Sequence, residues 1–137
     1  MADDIRAIAH YTLDIENTVG AGAKILGSLR GNVNFIAIWG YATGSGKAKL
    51  ELIPDDSDAF ASAAKAAGLE PGTPITAFYV KGDDRRGAIA DTLDKLAAAN
   101  VGIEAAQAVS DGEGRFGGVI YVAAADVQKA AAALNAR

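Results

Sequence analysis

The order strand, glycine turn, helix, strand, hairpin, strand, helix runs through this chain twice, and that duplication limits the fold more than any single motif does. Gly20 and Gly87, Leu26 and Leu93, and Leu29 and Leu96 are each 67 positions apart. One residue is then added, so that Asn32 and Val33 correspond to Asn100 and Val101, and Gly44 and Gly46 to Gly112 and Gly114, at an offset of 68. Because the matches fall at equivalent points of one pattern, they imply two copies of one unit. At 137 residues and 50% hydrophobic, the chain can bury a core without crosslinks, as one ordinary domain or two very small ones. We place the units at residues 1–70 and 71–137.

In the first unit Ile5, Ala7, Ala9, Tyr11, Leu13 and Ile15 alternate with more polar residues, the period of a half-buried strand. An amphipathic helix is expected from about Thr18 to Arg30, with Ile25, Leu26 and Leu29 on one side; Ile89, Leu93 and Leu96 repeat it in the second unit. Val33, Phe35, Ala37, Trp39 and Tyr41, a turn over Thr43–Gly46, and Ala48, Leu50 and Leu52 read as a hairpin. This pattern leaves Ile36 and Ile38 on the opposite, helix-free face. The counterpart runs from Val101, Ile103 and Ala105 through a turn at Asp111–Gly114 to Phe116, Gly118, Ile120 and Val122. Each unit closes with a helix opened by an acidic residue, Asp58 or Asp126, and Gly68 supplies a C-terminal stop for the first of these. Such a unit is α+β, an antiparallel sheet with both helices on one face in the ferredoxin-like arrangement.

The run from Tyr11 through Leu13, Asp14, Ile15, Glu16, Asn17, Thr18, Val19 and Gly20 to Ile25 and Leu26 resembles the opening of an ACT domain. So does the run from Phe78, Val80, Asp83, Asp84, Arg85, Arg86, Gly87 and Ile89 to Leu93, and the resemblance covers nearly the whole chain. It implies two βαββαβ repeats and a regulatory role. An amino acid or similar metabolite would lie against the strand-to-helix turn, clamped by a neighbouring unit. Asn17, Thr18, Val19, Gly20 and Ala21 would contribute from the first unit, and Asp84, Arg85, Arg86, Gly87 and Ala88 from the second. One departure stands out. The family's fourth strand is squeezed, since Pro71 and Pro74 obstruct a ladder between Gly68 and Ile75. Either the fourth strands are vestigial or the segment around Ile75–Lys81 serves both units.

The turn is chemically suited to such a ligand, because free amides at a helix N-terminus attract carboxylates and glycine permits close backbone approach. Equally, each glycine could serve only a tight turn. Arg85 and Arg86 match the geometry of a carboxylate, while Asp83 and Asp84 beside them could neutralise the pair locally. The Asn17 amide could read an ammonium or a carboxylate, or cap the following helix.

Other chemistries find little support. Net charge −4 and a pI near 4.9 disfavour nucleic acid. The absence of cysteine removes thiolate catalysis and fits a reducing compartment. No apolar run approaches the roughly 20 residues of a membrane span, and Asp3, Asp4 and Arg6 do not read as a signal peptide. A cytoplasmic protein without membrane association is expected. Thr43–Lys47 lacks the spacing of a phosphate loop, and Ile25 stands where Gly20 and Gly22 would need the third glycine of a dinucleotide site. Trp39 reads as core, and His10, the single histidine, as structural or surface. No cofactor, metal or nucleophile–base pair is expected, so the chain reads as a non-enzymatic, homodimeric sensor acting on an unidentified partner enzyme. The alternative is a structural or interaction module with no ligand.

Overall fold

A computed structural model describes residues 3–137. Six strands and four helices follow one another in the doubled order: β1 (Asp4–Glu16), α1 (Ala21–Leu29), β2 (Phe35–Gly44), β3 (Lys47–Pro54), α2 (Ser57–Ala66), β4 (Ile75–Asp83), α3 (Ala88–Ala98), β5 (Ile103–Ser110), β6 (Arg115–Val122) and α4 (Val127–Leu134). They form two compact units, one of Ala9–Ile75 and one that joins Thr76–Arg137 to the residues up to Ile8. Where a division after residue 70 was expected, the front of β1 thus goes with the C-terminal part of the chain.

Within the Ala9–Ile75 unit the strand order is β2-β3-β1, all antiparallel. Tyr11 pairs with Leu52 and Leu13 with Leu50, so one row of apolar side chains faces α1 and α2. There it closes on Leu29, Phe60 and Ala64. The Phe60 ring, wholly buried, packs 4.6 Å from Tyr11 and 6.0 Å from Phe35. Asp56 caps α2 by accepting the Ala59 amide at 3.1 Å, while the expected Asp58 lies in the first turn. Gly68, at φ +73°, ends that helix as expected, with its amide bonded to the Lys65 carbonyl.

A register shift between Phe35 and Ala37 breaks the expected alternation of β2. Val33 and Phe35 therefore join the helix-side core, whereas Ala37 and Trp39 pair with Ile53 and Glu51 on the other face. Ile38 pairs with Leu52 and belongs to the helix side, so the isoleucine patch expected on the helix-free face does not form. A bulge moves every later side chain to the opposite face because the strand period is two.

In the other unit β4-β6-β5 are consecutive, and Phe78, Val80, Phe116, Ile120 and Val122 meet Leu96, Ala130 and Leu134 in a second helix-side core. Ile5 lies in that same core. The front of β1 runs beside β4, and Ala7 and Ile5 exchange backbone bonds with Arg137 at 2.9 and 3.0 Å. The fourth strand of this unit is thus supplied from the front of the chain. Asp126 stands at the start of α4 but makes no capping bond, since a short 3-10 turn over Ala124–Asp126 precedes the helix.

Candidate functional site

Both strand-to-helix turns are built by the same three backbone hydrogen bonds. Asn17 donates to the Gly46 carbonyl at 2.9 Å, Ala21 to Thr18 at 3.2 Å and Lys24 to Gly20 at 2.9 Å. In the second unit Asp84 donates to Gly114, Ala88 to Arg85 and Asp91 to Gly87, at 2.9, 3.2 and 2.9 Å. The first bond of each set ties the turn to the tip of its hairpin. Gly20 and Gly87 take φ +86° and +80°, a left-handed conformation that glycine adopts without steric cost. As each is the N-cap of its helix, neither α1 nor α3 begins with a capping side chain.

The side chains distinguish the two turns. A cleft of about 540 Å³ opens at the first, lined by Thr18, Val19, Gly20 and Ala21 of the expected set. Asn17 is not among the lining residues; its backbone amide is committed to the hairpin tip. Half-buried Ile15, Ile25 and Leu69 give the cleft apolar surface, and Asp14, Glu16 and Lys24 give it charge. The carboxylates are paired across the strands, Asp14 with Lys49 at 2.8 Å and Glu16 with Lys47. Val19 is fully exposed, an apolar side chain held out on the turn.

At the second turn the charges are engaged with one another. The Arg85 guanidinium bonds both oxygens of Asp3, at 2.9 and 3.2 Å, and also reaches Asp91 at 3.4 Å. Hydrogen bonding to Asp3 holds its pKa above the ordinary arginine value. Asp83 and Asp84 do not neutralise it as expected. Asp83 pairs with Arg115 at 2.6 Å, and Asp84 accepts the Ser110 hydroxyl at 2.9 Å. Arg86 and Gly87 are exposed, and Ala88 is buried.

A polar cluster that sequence reading missed lies on β1, β2 and β3 of the Ala9–Ile75 unit. Glu51 is only 6% exposed and accepts hydrogen bonds from Thr12, from Tyr41 at 2.7 Å and from His10 at 3.0 Å. Burial pushes the Glu51 carboxyl up, but the bonds from Thr12, Tyr41 and His10 outweigh it and leave the pKa below the usual value. Burial also lowers His10 against the pull of Glu51, which favours a neutral ring donating its Nε2 proton. The bond to Glu51 raises Tyr41 to about 12. The His10 ring stacks on Trp39 at 5.6 Å between centroids. The parity of His10 and Thr12 on one strand was available as a signal; the bulge that brings Trp39 and Tyr41 to the same face was not.

Among the described residues no group of three or more His, Cys, Asp or Glu is placed to hold a metal ion, and no helix is long and apolar enough to cross a membrane. No protein-family model matches the chain, and no curated protein matches its sequence. Solved structures do match. Protein BT0572 from Bacteroides thetaiotaomicron has a TM-score of 0.81 at 20% identity, over 96% of this chain and 88% of that one. The ligand-free regulatory subunit of aspartate kinase from Thermus thermophilus scores 0.61 at 19% identity, over 98% and 93%. The equivalent subunit from Thermus flavus scores 0.64 at 16% identity, over 98% and 95%. The fold is accordingly α+β and ACT-like, built from βαββαβ repeats with helices on one face of antiparallel sheet.

Proposed function

We propose that the chain is a tandem ACT-domain sensor that binds an amino acid or similar small metabolite, not an enzyme, and controls a partner through that binding. The observation that carries this reading is the cleft at Gly20, where Thr18, Val19 and Ala21 line a space beside an uncapped helix start. A carboxylate would be drawn to the helix amides and an aliphatic side chain to Ile15, Ile25 and Leu69. The likeness to aspartate kinase regulatory subunits supports the regulatory half of the reading at the level of fold. A ligand would act by binding two states of the protein unequally, and we take those states to differ in homodimer assembly.

Thermal unfolding in the presence of each common amino acid tests the proposal. One of them should raise the midpoint, with about 2.7 kcal/mol of added stability at a hundred times its Kd. Gly20→Val should abolish that response in a protein that still folds. No response to any amino acid at millimolar concentration would favour a ligand-free interaction module. Sedimentation equilibrium should show a dimer whose dissociation changes with the ligand; a monomer at tens of micromolar under both conditions refutes the assembly mechanism.

A further inference from the structure

The acid Asp3 lies ahead of β1 yet its side chain is only 7% exposed, which is unusual for a carboxylate beyond the edge of a strand. Both of its oxygens bond the Arg85 guanidinium, in the two-pronged geometry by which arginine recognises carboxylates. The seat beneath it is Gly82. A Cβ built there would fall 2.0 Å from Asp3 Oδ1 and 2.9 Å from its Cγ, so the carboxyl group fits because residue 82 has no side chain. Arg85 is also one of the residues of the second strand-to-helix turn, with its carbonyl accepting from Ala88.

We propose that Gly82 and Arg85 form a carboxylate-binding site occupied by the chain's own Asp3, so that the second turn is closed to free carboxylate ligands until Asp3 withdraws. The inference rests on the reading of these turns as carboxylate sites, and it makes the two unequal. The first turn offers an open cleft, while the second carries a tethered competitor. An external carboxylate binds the second turn only in the fraction of molecules whose Asp3 is out, and its apparent affinity falls by that fraction.

The test is a titration of the full ¹⁵N-labelled chain with acetate, against chloride at equal ionic strength, read at the Gly82 and Gly87 amides and the Arg85 Nε–H. In the wild type these signals should stay flat. In Asp3→Ala they should shift saturably with acetate and not with chloride, and Arg85→Gln added to that variant should remove the shift. Asp3→Asn, which keeps the shape and removes the charge, carries the test if the alanine variant does not fold. Equal saturable shifts in wild type and variant, or none in either Asp3 variant, overturn the proposal. Amino-acid binding at the first turn is read separately at Gly20 and Ala21, so its failure leaves the acetate result standing.

Discussion

His10 Nε2 lies 3.0 Å from Glu51 Oε1, and both residues are almost wholly buried on neighbouring strands. Both folded-state pKa values are depressed, His10 below its ordinary 6.5 and Glu51 below its ordinary 4.5. Each therefore contributes stability that is present above its ordinary value and lost as the pH falls through the folded one. Stability should be flat near pH 7, begin to decline below about 6.5 and decline further below about 4.5. His10→Gln should remove the first part of that decline and leave the second. Urea denaturation across the pH range measures both; an unchanged profile in the variant would show that His10 does not titrate in this way.

Glu51 itself is the shared acceptor of three donors. Glu51→Gln turns one acceptor oxygen into a donor facing donors, and should destabilise by about 1–3 kcal/mol, the range for a buried group left unsatisfied. Equilibrium unfolding reads the difference.

Glycines a few residues apart should respond in opposite directions. A Cβ at Gly20 would meet nothing within 4 Å, but its φ of +86° is unfavourable for any side chain. Gly20→Ala should therefore cost about 1–2 kcal/mol. Gly22 and Gly27 lie inside α1 with open space around them and no positive φ. Replacing either with alanine should stabilise by about 0.5–1 kcal/mol. Denaturation midpoints of the three variants decide whether the turn alone demands glycine.

Phe60 and Leu96 anchor the two helix-side cores, both with no exposed surface. Phe60→Ala should cost about 3–5 kcal/mol and Leu96→Ala about 2–5 kcal/mol. Calorimetry that found either nearly neutral would contradict the assigned packing.

Much of the fold was legible because it depends on period and spacing. The matched pairs Gly20 with Gly87 and Leu29 with Leu96 mark equivalent turns and helices, and Gly68 ends α2 where expected. The bulge after Phe35 was not legible, since nothing in Phe35–Ile38 distinguishes a skipped register from continued alternation. Of the candidate residues taken from the family resemblance, Thr18, Val19, Gly20 and Ala21 line one cleft, as neighbours on a single turn. The engagement of Arg85 by Asp3 could not be read, because it joins positions 82 residues apart through a strand whose front half belongs to the other end of the chain.

The placing of the front of β1 in the C-terminal unit sets an order on folding during synthesis. Ala9–Ile75 is continuous, so its contacts can form once that stretch has left the ribosome. The other unit needs Ile5 and Ala7 held beside Arg137, and those early residues must wait, unpaired with it, until Arg137 too has left the ribosome. A translational pause once Ile75 has cleared the ribosome should therefore leave the nascent chain with one unit protected from protease and with the segment ahead of Ala9 open to cleavage.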